Sequence, residues 1–181
     1  LPMITSCSPG WVNYAEYYYS DVLPHLSSCK SPHEMEGAII KSYFAEKNNL
    51  NPEDIFVVSI MPCTAKKYEK EREELRSSEG YKDVDAVLTT RELAKLIKRA
   101  GINFAKLPDE PFDQDLLGDY TGAGVIFGAT GGVMEAALRT AYHTLTGKEH
   151  EAIDFTEVRG LEGLKEATLN INGLEIRVAV A

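Results

Sequence analysis

The run Ile55-Phe56-Val57-Val58-Ser59-Ile60 constrains this chain more than any other feature. A nearly unbroken β-branched and aromatic stretch of this kind reads as a strand buried on both faces of a parallel sheet. Parallel strands need helical crossovers, and the flanking sequence supplies them. Upstream, Ser31-Pro32-His33-Glu34 opens a helix to about Asn48, with Ser31 as cap, Pro32 in the first turn and Glu34 closing a capping box. Downstream, Asp85–Thr89 is the next strand, and Thr89-Thr90-Arg91-Glu92 opens another capped helix reaching Ala100. Pro2–Ser6 reads as a short strand, Pro9–Tyr19 as a helix with an aromatic face, and Lys66–Ser78 as a solvated helix of alternating charge. Past the connection Gly101–Asp119, Gly131-Gly132 leads a helix through Leu145. Strands Ala152–Val158, Ala167–Ile171 and Leu174–Val180 follow, the last two joined by the hairpin turn Asn172-Gly173. Strands and helices alternate without repeats or low-complexity stretches. The expected class is α/β: two small lobes with mostly parallel sheets flanked by helices.

Composition narrows the function. Nineteen Lys and Arg against 28 Asp and Glu give a net charge of −9. That balance excludes nucleic acid as the main partner, because phosphate binding draws on clustered cations. The apolar runs Ile55–Pro62 and Ala123–Ala129 are too short to cross a bilayer, so no membrane segment is expected. Three cysteines at wide spacing do not make a secreted disulfide framework, and no signal peptide is in view. A cytoplasmic, reducing compartment is the expectation. The chain opens at Leu1 on an apolar stretch and stops within the apolar Val178-Ala179-Val180-Ala181, so it reads as a piece of a longer protein, cut at both ends. The acidic connection Gly101–Asp119, carrying Asp109, Glu110, Asp113, Asp115 and Asp119, reads as a partner-facing loop.

Cys7 and Cys63 fall just past the carboxyl ends of predicted parallel strands, the edge where α/β sheets bind ligands. Each precedes a helix start, where free N–H groups stabilise a thiolate. Lys66, three residues after Cys63, reaches any anion held there. Cys29 lacks such a setting and reads as packing. No C-x-x-C pair or histidine spacing points to zinc. The run Gly122–Gly132 fits neither the dinucleotide fingerprint nor the P-loop. It leaves two readings open: an anion cradle at a helix start, or close helix packing.

Two stretches resemble signatures of the iron-only hydrogenases. Thr5-Ser6-Cys7-Ser8-Pro9-Gly10-Trp11 is similar to the first, and Met61-Pro62-Cys63-Thr64-Ala65-Lys66-Lys67-Tyr68-Glu69 to the second. Leu26–Pro32, Leu88–Leu93, Thr121–Ala137 and Thr156–Gly160 support the resemblance in order along the whole chain. It implies a partial catalytic domain over residues 1–181 that carries part of an H-cluster, a [4Fe–4S] cubane joined to a di-iron unit with CO and cyanide ligands, which reversibly reduces protons to H₂. By the same resemblance Cys63 is a cubane ligand, Lys66 donates to a cyanide, and Met61, Pro62, Phe127 and Gly131 line the pocket. Cys7 passes protons to the di-iron unit, and Ser27 is the next hydroxyl on that relay.

The chain departs from the family twice. Ser8 stands where the family has a second cysteine. Either Ser8 ligates through oxygen, or Cys7 takes over and the relay is lost, or the cluster binds weakly. The family's third, cysteine-rich signature is absent from these residues, so the 181 residues alone are expected to hold no intact, active cluster. The resemblance implies partners in the remainder of the chain with its accessory iron–sulfur domains, and a redox partner such as a ferredoxin or a flavin subunit. The alternative from another class is a non-enzymatic iron–sulfur sensor or cluster-assembly relative.

Overall fold

The computed structural model describes residues 2–111, 113, 117–118, 122–150 and 153–181. The chain divides into two compact units, residues 1–113 and 114–181.

In the first unit, α1 (Pro9–Tyr18) begins with Pro9 in its first turn, and the side chain of Ser8 accepts the Trp11 N–H as N-cap. The expected strand before it is reduced to a single parallel bridge between Ile4 and Leu26. The predicted helix from Pro32 is present as α2 (Pro32–Ile39), a wider π turn (Ile40–Phe44) and α3 (Ala45–Asn48). Its start differs from expectation: Ser31 makes no cap hydrogen bond, because its hydroxyl donates to Glu69 instead. No capping box forms there. Gly37 is required where α2 crosses the chain at Asp83, since a Cβ would come within 2.6 Å of the Asp83 carbonyl oxygen.

β1 (Val58–Ile60) pairs in parallel with β2 (Ala86–Leu88), Ser59 opposite Val87. The expectation that Ile55–Ile60 is buried on both faces is not met: Phe56 is 71% exposed, and Val58 and Ile60 are exposed too. Among the described residues this sheet has two strands, which leaves its apolar side chains partly uncovered. The single helix expected over Lys66–Ser78 is also corrected. α4 spans only Lys66–Glu69 and a 3₁₀ turn follows at Glu73–Leu75, because Lys66 and Glu69 turn inward and are buried. α5 (Thr90–Arg99) carries the predicted capping box between Thr89 and Glu92. Of the following connection, the structure describes a 3₁₀ turn at Phe104–Lys106 and exposed Asp109, Glu110 and Asp113; Asp115 and Asp119 lie outside the described residues.

The second unit holds α6 (Ala123–Ile126), α7 (Gly132–Thr146), β3 (Thr156–Glu157), β4 (Lys165–Ile171) and β5 (Leu174–Val180). Its sheet is antiparallel, in the order β3-β4-β5. The β4–β5 hairpin turns at Asn172-Gly173, both with positive φ (52° and 88°), as a two-residue turn of this chemistry requires. Leu138 of α7 packs on Ile153, Ala167 and Leu169, with Met134, Phe155 and Val178 around them. The glycine run resolves in favour of packing at Gly132, where a Cβ would lie 1.7 Å from the Ile126 carbonyl oxygen and force α6 and α7 apart. Thr121 and Ala152 lie outside the described residues.

Candidate functional site: two cysteine turns around a buried lysine

Among its described residues the first unit buries as many charged side chains as apolar ones. The buried apolar side chains are Pro9, Ala15, Ala45, Val84 and Val87, and Glu34, Lys41, Lys66, Glu69 and Asp83 are buried beside Ser31. Buried charges persist only when paired and hydrogen-bonded. Three such sets are present. Lys41 donates to the Lys82 carbonyl (2.6 Å) and to Asp85 Oδ2 (2.7 Å), and Asp85 Oδ2 also accepts the Val57 N–H, which fixes the edge of β1. Lys30, paired with Asp83, donates to the Leu75 carbonyl (2.8 Å).

The third set sits between the cysteine turns. Cys63 follows β1 on a turn whose start is tied by Met61 N–H donating to the Leu88 carbonyl (2.9 Å). The Lys66 N–H donates to the Cys63 carbonyl (3.3 Å), and the Lys66 ammonium donates to the Cys7 carbonyl (2.5 Å). Lys66 thus ties together two turns 56 residues apart in sequence. Its ammonium also pairs with Glu69 Oε2 at 2.9 Å, and both side chains are buried. The same oxygen accepts the Ser31 hydroxyl (2.9 Å) and His33 Nε2–H (2.5 Å). Burial pushes the Glu69 carboxyl up, but hydrogen bonds from His33, Lys66 and Ser31 outweigh it and hold the group below its ordinary value. Glu34, 1% exposed, has the opposite balance. Burial raises it, and Glu69 and Asp83 add to the rise against the opposing pull of His33 and Lys30. Its Oε1 has no hydrogen-bond partner.

The sequence-predicted residues fall as follows. Cys7, Cys29 and Cys63 are free, exposed thiols. Met61 is half-buried and Pro62 exposed on the Cys63 turn. Ser27 lies beside the Cys7 segment, its N–H donating to the Ile4 carbonyl (2.7 Å), while its hydroxyl accepts the Cys29 N–H (3.2 Å). The Ser8 hydroxyl is engaged as the cap of α1 (3.3 Å). Phe127 and Gly131 belong to the second unit: Phe127 is exposed at the end of α6, and Gly131, with φ 82°, precedes α7. Sequence reasoning passed over His33 and Glu34 as helix-start residues. The signal available for them was two titratable side chains in the first turn of a helix.

The donor set suits an iron–sulfur group in part. Cys7 and Cys63 offer soft sulfur with a buried ammonium between their turns, yet these three cysteines are fewer than the four thiolates a cubane takes. Ser8 is a hard hydroxyl already used by the helix.

The fold places the chain in the class of the [FeFe]-hydrogenases. It superposes on an apo [FeFe]-hydrogenase from Chlamydomonas reinhardtii with a TM-score of 0.76 and 47% identity, covering 94% of this chain and 42% of that one. The chain belongs to the family described as "Iron only hydrogenase large subunit, C-terminal domain", whose pattern matches residues 1–181. It is 59% identical to the periplasmic [Fe] hydrogenase large subunit of Nitratidesulfovibrio vulgaris over 99% of this chain and 42% of that protein. It is also 34% identical to the cytosolic Fe-S cluster assembly factor narfl of Xenopus tropicalis, over 96% of this chain and 37% of that protein. The chain therefore spans less than half the length of these relatives.

Proposed function

We propose that the full-length protein is an iron-only hydrogenase and that these residues form part of the pocket for its H-cluster. The observation that carries the reading is Lys66, whose ammonium and backbone N–H bind the Cys7 and Cys63 turns at once. In this reading Cys63 is a ligand of the cubane. Lys66 holds a charge-assisted donor toward a cyanide, and Met61 and Pro62 exclude water beside it. Cys7, exposed and next to the Ser27 segment, holds the proton nearest the reacting centre, and Ser27 passes protons on. When bound, the H-cluster supplies the electron and hydrogen chemistry. Electrons would arrive through further iron–sulfur domains of the longer chain and a ferredoxin or flavin subunit. The cytoplasmic setting rests on the three free thiols and stands against a relative named periplasmic; fractionation of cells making the full-length protein separates the two.

A second reading, a cluster-assembly relative without turnover, is favoured by one observation: the Ser8 hydroxyl is occupied as a helix cap where the family has a cysteine. Loading the full-length protein with a synthetic di-iron cofactor tests both. Evolution of H₂ from a chemical reductant supports the hydrogenase. Retained iron without gas supports the assembly relative, and failure to retain iron sinks both.

A further inference from the structure

We propose that His33 is the positioning residue of Lys66: by fixing the Glu69 carboxylate it holds the lysine ammonium between the Cys7 and Cys63 turns. The proposal deepens the cofactor reading and rests on it only for the anion that Lys66 would meet.

The imidazole spans two elements. Nδ1 lies 3.0 Å from the Ser59 hydroxyl on β1, and Nε2 lies 2.5 Å from Glu69 Oε2 on α4. A hydroxyl donating to Nδ1 leaves the proton on Nε2, aimed at the carboxylate. The ring is enclosed, with only 6% of its side chain exposed. Ser31, the N-cap of α2, has also turned from capping to Glu69. The start of α2 is thus committed to one carboxylate oxygen, and that oxygen is one of two partners of the Lys66 ammonium, the other being the Cys7 carbonyl.

Glu34 explains why an N–H donor is needed there. Its unpartnered Oε1 lies 3.4 Å from His33 Nε2, and ligand atoms of His33, Glu34 and Glu69 lie within 4.8 Å of one another. The imidazole therefore stands between two carboxylates. Without it, the Glu69 oxygen would lose one of its three donors and be left beside the Glu34 carboxylate, and the Lys66 ammonium would lose the fixed partner that holds it at the Cys7 carbonyl.

Acetic anhydride labelling of the cluster-free full-length protein, read by peptide mass spectrometry, tests the geometry. Lys66 should label about tenfold faster in His33→Ala, as expected for a lost hydrogen bond to a charged group. In His33→Gln, which keeps a side-chain N–H toward Glu69, it should label as in the unaltered protein. Lys41, buried on separate partners, is the internal control. If Lys66 labels no faster in His33→Ala, if Lys41 accelerates with it, or if His33→Gln behaves as His33→Ala, the proposal falls. Infrared spectra of the loaded full-length protein test the direction. The cyanide bands of His33→Ala should move toward those of Lys66→Ala, with His33→Gln overlying the unaltered protein. Unmoved bands in His33→Ala overturn the proposal. Absence of cyanide bands from the unaltered protein instead overturns the cofactor reading, and labelling alone then decides the role of His33.

Discussion

Cys63 and Glu69 sit six residues apart and face opposite chemistry, one thiol open to solvent and one carboxylate enclosed by three donors. Cys63→Ala in the full-length protein should abolish iron retention without lowering Tm; iron bound at the unaltered level would remove Cys63 from the ligand set. Glu69 contributes to acid stability. Its folded value lies below its ordinary value of 4.5, so its contribution is complete above that pH and is lost as pH falls through the folded value. Glu69→Gln should flatten the stability–pH curve in that window, measured by urea midpoints. Glu34 has the reverse sign: its value is raised, so its ionisation costs stability as pH rises through the folded value. Glu34→Gln should therefore raise the urea midpoint at pH 7 and leave it unmoved at a pH below the ordinary value of 4.5. Because Ser31, His33 and Lys66 share one oxygen, paired substitutions among them should not add. The Cys63 turn was legible in the sequence because a cysteine between a strand and a helix start is a local pattern, whereas before Cys7 only the helix start formed and the expected strand is a single bridge. The His33–Glu69 contact was not legible, since it joins side chains 36 residues apart and depends on how α2 meets α4.

Helix starts show how far local chemistry reaches. Thr89 and Glu92 form the box their spacing predicts, and Glu92 is pulled down to about 2 by hydrogen bonds from Lys67 and Thr89. Thr89→Ala should cost about 1 kcal/mol in the denaturant-derived stability of the first unit. Ser31 has the same sequence credentials and no box: its hydroxyl is turned to the buried Glu69 carboxylate and takes no backbone N–H of α2. Lys66–Ser78 misled for a related reason. Alternating charge describes a solvated helix only if the charges stay in water, and here two of them pair inside. The hairpin and the start of α7 were legible because φ > 0 and close backbone approach both select glycine. Gly132→Ala should separate α6 from α7 and cost at least about 2 kcal/mol, seen as early loss of α7 amide protection.

At the scale of the molecule, α/β alternation was readable, but the number of strands beside β1 was not, because a buried-strand composition does not say which chain segments cover it. Phe56, Val58 and Ile60 stay exposed on the two-stranded sheet. Residues 1–181 expressed alone should therefore bind a hydrophobic dye more strongly than the full-length protein; equal fluorescence per mole would contradict this. The contrast between a first unit buried around ion pairs and a second packed around Leu138, Ile153, Ala167 and Leu169 has a further consequence. Chilling weakens hydrocarbon contacts but leaves charged pairs largely intact, whereas acid discharges carboxylates and spares aliphatic packing. Acid is thus expected to weaken the first unit ahead of the second, and cooling the second ahead of the first.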